Sequence, residues 1–432
     1  MNEAYVELKS SPGPAVYRDF WNLSLFLFII GLLTVSRISG LATIMILYGF
    51  ILMAGFTIYL VFHRLLRLLP EVVVYMVWII WALSGAAVAI DQALFTTKLM
   101  TVIQINFLLF LISSMVSLKR NVSVVMSAII IGGVIVLLSS FYTGEFLEAG
   151  ATDTRTRAAG LVENANGFAY HLTFVVYAVF YFWNRKSSTV WRIILLSILA
   201  LSVLGIVYSG SRMGIIGLLA FLSLWWFFCA RKKLPKHPIT FYAMLLAILF
   251  ASYQFINYIL TKTYLGYRSQ LILQESSSLK RLQFYKEGLD MIIHNFFFGV
   301  GLDNFRSLSP EGMYSHSNYI EIASTTGIVG FFIFFSIFVI VWRRLRRIEK
   351  TYKEPQCLYN IGLFKAAILT ILLQSFATVN YSSKLTWVFL GAVIGFSWSL
   401  ERTLSGLIAA NKKHLLRLKQ DAPHDLYRRD IL

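Results

Sequence analysis

Residues 314–342 read YSHSNYIEIASTTGIVGFFIFFSIFVIVW. The polar stretch Tyr314-Ser315-His316-Ser317-Asn318 passes directly into an apolar run from 319 to 342, long enough to cross a bilayer as a helix. A membrane boundary is therefore expected beside Asn318. Behind it, 261–318 is the longest hydrophilic interval between the first and last apolar runs, and the rest of the chain reads as scaffold that holds this interval at one membrane face.

Working outward, apolar runs of about 18 or more residues recur near 21–38, 41–62, 72–90, 99–118, 122–142, 166–183, 191–209, 212–230, 239–260, 319–342, 360–380 and 385–401. The chain is 57% hydrophobic and only 14% charged, well below the roughly 25% charge of soluble domains. Together these predict an all-α integral membrane protein with about twelve transmembrane helices and one large loop between the ninth and tenth. Residues 1–402 read as a single polytopic membrane domain, with 403–432 as a basic cytoplasmic tail, and the even number of spans sets both termini on one side.

The formal charge of +18 raises the question of a nucleic-acid partner, but the basic residues sit at span ends, where they set topology. With the termini inside, roughly two thirds of the 39 Lys and Arg fall in cytoplasmic segments. No nucleic-acid partner is expected, and membrane lipids are. The outer loop 261–318 nevertheless holds Lys262, Arg268, Lys280, Arg281, Lys286 and Arg306, and the outer loop after the fifth span holds Arg155 and Arg157. Positive charge on the disfavoured side calls for another reason, and anion binding is the natural one. Cys229 and Cys357 both fall on the cytoplasmic side, so no structural disulfide is expected.

The spans carry few ionisable residues at mid-depth, His171 being the main exception, which argues against an ion-coupled transporter. Ser209-Gly210-Ser211-Arg212 is a turn in which Ser211 or Ser209 caps the following helix. That helix N-terminus, with the Arg212 fork beside it, suits phosphate oxygens. Ser276-Ser277-Ser278 precedes an amphipathic pattern, Leu282, Tyr285, Leu289, Ile292 and Ile293, that predicts a helix over about 279–294 resting on the bundle or in the interface. Arg281, with Lys280 beside it, is a second candidate cation; Arg268, Arg155 and Arg157 follow. His316, flanked by Ser315, Ser317 and Asn318 with Glu321 one turn on, is a candidate proton acceptor, an imidazole near its unperturbed value. Gly299-Val300-Gly301 reads as a tight turn; without a preceding strand it is no nucleotide motif. No metal-ligand spacing stands out, and no cofactor is expected.

Five pieces, 157–166 (RAAGLVENAN), 209–214 (SGSRMG), 281–288 (RLQFYKEG), 299–305 (GVGLDNF) and 316–330 (HSNYIEIASTTGIVG), together with the span plan resemble the bacterial O-antigen ligase and O-antigen polymerase superfamily of membrane glycosyltransferases. The resemblance extends over about 155–395. The chain departs from the family pattern in having Ser317 after His316, Met213 after Arg212 and Ala165 between Asn164 and Asn166. The resemblance implies metal-independent transfer of a glycan from an undecaprenyl-diphosphate-linked oligosaccharide donor, in the bacterial inner membrane with the site facing the periplasm. The acceptor would be another lipid-linked repeat unit in a polymerase or lipid A core in a ligase, with other polysaccharide-assembly proteins as possible partners. The 299–305 segment looks more like the polymerase version. On this reading His316, Arg212 and Arg281 are catalytic, and Arg157, Asn166, Ser211, Arg268, Lys280, Asn318 and Glu321 bind substrate. A lipid-linked glycan flippase without covalent chemistry is the rival from another class.

Overall fold

A computed structural model describes residues 15–35, 38, 40–119, 121–145, 157–162, 164–185, 188–230 and 276–420, with isolated residues at 253–254, 257–258, 261–263 and 266. The described secondary structure is helical: α1 (Ala15–Leu33), α2 (Ala42–Phe62), α3 (Pro70–Leu83), α4 (Gln92–Lys119), α5 (Val122–Tyr142), α6 (Ala165–Trp183), α7 (Thr189–Tyr208), α8 (Arg212–Trp225), α9 (Ser276–His294), α10 (Asn318–Thr351), α11 (Pro355–Gln374) and α12 (Lys384–Gln420). Among the described residues, eight helices are long and apolar enough to cross a membrane: α2 to α5, α7, α8, α10 and α11, counting the short turns that extend α3 and α8. The expected ninth span, 239–260, lies largely outside the described residues, as do Arg155 and Arg268. The last helix continues past 402 to Gln420.

Lipid supplies no hydrophobic force between helices, so close packing must come from small residues and polar contacts. Gly391 and Gly395, one turn apart on α12, let it lie against α4: a Cβ on Gly395 would stand 2.6 Å from the Ser113 carbonyl oxygen and 2.7 Å from Val116 Cβ. Helix α6 is buried along nearly its whole length by α5, α7, α8 and α11, which makes it the central element. At one end of the bundle charges do the joining. Arg344 of α10 pairs with Glu71 of α3, which is fully buried, and reaches Glu401 of α12 at 3.1 Å; Trp398 Nε1 donates to the same Glu71 at 3.2 Å. Lys365 of α11 pairs with Glu349 of α10.

The other end is built around a break. Helix α10 loses helical geometry at Gly327 (φ 69°, ψ 178°), a conformation glycine adopts without the clash a Cβ would bring; here that Cβ would run into the Phe297 carbonyl. The break exposes three carbonyls of α10, and neighbours satisfy them. Val300 N–H donates to Ser324 O at 2.8 Å, Gly301 N–H to Thr325 O at 3.1 Å and Trp81 Nε1 to Thr326 O at 2.9 Å, while Ile328 N–H donates to Phe296 O at 2.8 Å. The glycines at 299 and 301 therefore seat a strap in the broken helix, beyond the simple turn read from sequence. The strap goes on to Asn304, whose side chain accepts from Asp91 N–H at 2.7 Å and donates to Asp91 O at 3.2 Å, and to Asp303, which bridges Lys98 at 3.4 Å and Arg306 at 2.6 Å. The 299–305 segment thus ties the chain between α9 and α10 to the α3–α4 connection.

Candidate functional site

At the strap end of the bundle lies a cavity of about 500 Å³. Its walls are the first turn and a half of α6 (Asn166, Gly167, Tyr170, His171), the segment before α10 (Met313, Tyr314, His316), the connection into α12 (Thr378, Asn380, Ser382, Ser383, Lys384) and the end of α1 (Leu32, Leu33). No acidic side chain lines it among the described residues. Three helices, α6, α10 and α12, begin at or beside this wall, so their positive dipole ends act on the same space.

His316 stands in the left-handed region (φ 58°), a conformation few non-glycine residues adopt outside an over-determined setting. The surroundings supply that setting. Ser315 N–H donates to the Glu321 carboxylate at 2.9 Å, Ser315 Oγ donates to Ser317 O at 2.8 Å, and Ser317 caps α10. Asn318 N–H donates to Ser375 O at 2.8 Å, and Asn318 Oδ1 accepts from Asn380 N–H at 3.2 Å and Tyr381 N–H at 2.9 Å. The imidazole, fixed by its backbone, packs near Tyr314 (ring centroids 4.6 Å) and Phe284 (5.6 Å). Burial, and then the positive charge of Arg281, push its pKa down to about 4. The expectation of an imidazole near its ordinary value is corrected: partial burial and a neighbouring cation hold it neutral far below neutrality.

Arg281 reaches this position because α9 sits on the start of α10 through Phe284, which is buried, and Gly288, where a Cβ would meet the Ile320 side chain. Spacing of three to four residues puts Arg281, Phe284, Tyr285 and Gly288 on one face. Tyr285 Oη donates to Phe376 O. Of the apolar residues that signalled the helix, Leu282, Leu289 and Ile293 are exposed and form an outward stripe, while Tyr285 and Ile292 are half-buried. Lys280 also points outward, paired with Glu311 at 2.7 Å, and does not line the cavity.

On the opposite wall Arg157 links two candidate pieces: its Nε donates to Ser209 O at 2.8 Å and its Nη2 to Asn166 Oδ1 at 2.9 Å. Asn164 caps α6 by accepting from Asn166 N–H at 2.9 Å and Gly167 N–H at 3.1 Å, which leaves Asn166 on the cavity wall. Ser211 caps α8, accepting from Gly214 N–H at 3.2 Å, and Arg212 follows as the first helical residue. Of the sequence-predicted residues, the structure gathers His316 and Asn166 at the cavity, with Arg281 and Arg157 directly behind them. Ser211, Asn318 and Glu321 are buried and turned to backbone partners, so they hold the walls and do not face the space. Sequence reasoning passed over Lys384, Asn380 and Tyr170. Asn380 Nδ2 donates to Tyr170 Oη at 3.2 Å, which pairs with Thr386 at 2.9 Å. A signal for Lys384 existed, since Ser383-Lys384 opens α12 as Ser211-Arg212 opens α8.

The fold and site define a multi-pass helical membrane protein with a cavity at one end of its bundle that no acid lines among the described residues. Residues 197–335, roughly a third of the 432, match the family model described as O-antigen ligase, which supports placing the chain in the O-antigen ligase superfamily. That range contains Arg212, Arg281 and His316 and leaves Arg157, Asn166 and Lys384 outside it. No curated protein matches the chain.

Proposed function

We propose that this protein is an inner-membrane glycosyltransferase of O-antigen assembly. It moves a glycan from an undecaprenyl-diphosphate donor to a sugar hydroxyl of a second lipid-linked repeat unit, with the cavity open to the periplasm and both termini in the cytoplasm. The observation that carries the reading is His316: a neutral imidazole, held in a strained backbone conformation, on the wall of an acid-free cavity beside Arg281. In the reaction the acceptor oxygen attacks the anomeric carbon as the bond from that carbon to the phosphate oxygen breaks, with inversion. The hydroxyl proton passes to the imidazole and later to solvent. The leaving diphosphate takes the bonding pair, and its charge is met by Arg281, Arg212 and the helix N-termini, without a metal.

An imidazole with a pKa of about 4 is a weak base in the free protein. A bound diphosphate offsets the Arg281 charge and adds its own, so donor binding raises the basicity of His316 when a base is needed. Arg157, Asn166 and the Ser211 turn hold the α6 and α8 N-termini at the site.

Transfer to lipid A core is the second reading, favoured by the name of the matched family. The polymerase resemblance lay in 299–305, a segment whose observed contacts are architectural. The test is glycan transfer by purified protein offered lipid-linked repeat units or lipid A core, with His316→Ala and Arg212→Ala alongside. Longer lipid-linked chains from the wild type, and none from either variant at equal membrane content, are expected. Product on the core alone overturns the polymerase assignment, normal ladders from both variants overturn the roles given to His316 and Arg212, and no transfer from the wild type favours a flippase.

A further inference from the structure

One wall of the cavity is the connection between α11 and α12, which from Phe376 to Ser383 holds no Asp, Glu, Lys, Arg or His. Four helices pin it. From α10, Asn318 N–H donates to Ser375 O at 2.8 Å, and Asn318 Oδ1 accepts from the N–H groups of Asn380 and Tyr381. From α6, Tyr170 Oη accepts from Asn380 Nδ2 at 3.2 Å; from α9, Tyr285 Oη donates to Phe376 O; from α12, Trp387 Nε1 donates to Tyr381 O at 2.7 Å. Asn380 Nδ2 also donates to Ser375 Oγ at 2.9 Å, so its amide is used inside the protein. Thr378, Ser382 and Ser383 differ from it. All three are half-buried on the cavity wall, and their hydroxyls hydrogen-bond no other described residue. A hydroxyl can donate or accept and turns to suit its partner. A sugar entering the cavity sheds water from its own hydroxyls and needs those bonds replaced, and a wall already fixed in place replaces them without a further ordering cost.

The attachment to Asn318 indicates which sugar sits there. Asn318 stands two positions after His316, so its three hydrogen bonds hold the connection in register with the segment that carries the imidazole. We propose that the α11–α12 connection is the acceptor-sugar subsite: Thr378, Ser382 and Ser383 hydrogen-bond the terminal pyranose and present its reacting hydroxyl to His316. The assignment rests on the transferase reading for the chemistry and adds the residues that choose the acceptor. The cavity, about 500 Å³, lies within the roughly 300–1,000 Å³ of a pocket for one small molecule. It therefore takes the reacting ends of the glycans and leaves their length outside, so acceptor choice is made at the terminal sugar.

The probe is an octyl glycoside of a single repeat unit prepared from the strain's own polysaccharide, which can accept a glycan but cannot donate one. Saturation-transfer NMR with the wild type in nanodiscs, without donor, should show saturation on the terminal sugar. The signal should be lost in the variant combining Thr378→Val, Ser382→Ala and Ser383→Ala. Once lipid-linked donor is added, each single substitution should raise the KM for the glycoside about fivefold, the scale of one hydrogen bond, with donor KM and kcat little changed. A terminal sugar lacking one hydroxyl should cost the wild type a similar factor and cost the matching variant nothing further. No saturation from the wild type, full saturation from the combined variant, or single-variant effects confined to donor KM overturns the proposal. The single variants each remove one half-exposed hydroxyl, so the kinetic arm stands even where the combined variant fails to fold. Binding requires no turnover: saturation that depends on these hydroxyls, without glycan transfer by any protein, keeps the sugar site and removes the transferase. Transfer with a glycoside KM indifferent to all three substitutions does the reverse.

Discussion

The two ends of this bundle use charge in opposite ways. At the end away from the cavity, Arg344, Arg347 and Lys365 each meet a carboxylate, from Glu71, Glu401 or Glu349, and the pairs join α3, α10, α11 and α12. At the cavity end no acid lines the space among the described residues, and cations open α8 and α12 where the helix dipole disfavours them. Paired charge in a low-dielectric setting holds helices in register. Positive charge gathered without lining acids at helix N-termini leaves a site whose natural complement is an anion. Near the cavity end, Asp303 is turned to Lys98 and Arg306, and Glu321 to a backbone amide.

Mutations at the two ends should therefore fail differently. The largest effect is expected from Arg344→Ala, which strands Glu71 as an unpaired buried acid; breaking such a pair costs roughly 3–5 kcal/mol, and thermal melts in detergent should show a large drop or loss of folded protein. Arg281→Ala should melt near wild type yet lose transfer by roughly a hundredfold, the scale of removing one charge-stabilising donor. Loss of folding in the second variant, or of activity alone in the first, would erase the contrast.

A smaller effect is expected with pH. His316 has its pKa lowered in the folded protein to about 4 from the ordinary 6.5 of an exposed histidine. The unfolded chain thus binds the proton first, so the stability this group contributes is complete above about 6.5, is lost as pH falls, and is gone below about 4. For kcat/KM, which reports the free enzyme, the acid limb assigned to His316 should lie near 4, and Arg281→Gln should move it toward higher pH. A limb that stays near 6.5 in both proteins would remove Arg281 from the description. The smallest effect belongs to Lys280→Ala. Its exposed pair with Glu311 stabilises little, so both the melt and the rate should change by less than about twofold, in contrast with its neighbour Arg281.

Much of the site was legible one residue at a time. His316 was singled out by its polar flanks against a membrane span, Arg212 by the Ser-Gly-Ser turn before it, and a helix cap was expected from Ser211 or Ser209, of which Ser211 makes it. What could not be read is which face each residue presents. Asn318 and Glu321 look like polar site residues beside His316, yet both turn inward to fix the backbone that strains it. The amphipathic signal of α9 came from Leu282, Tyr285, Leu289, Ile292 and Ile293, but of these Leu282, Leu289 and Ile293 face outward, and the face that docks is set by Phe284, Tyr285 and the room at Gly288. Lys384 is separated by more than sixty positions from His316 in the chain, and both line one cavity.

The order of apolar runs and polar breaks determined, by itself, that this chain is a helical membrane protein, because hydrocarbon tolerates only backbone that satisfies its own hydrogen bonds. Local turn chemistry determined where helices begin. Tertiary structure alone decided that α10 breaks at Gly327 to receive the strap, that an arginine near His316 and burial hold the imidazole neutral, and that the α11–α12 connection is pinned to the segment bearing it. These depend on atoms distant in sequence meeting at one place, and the helical period carries no record of that.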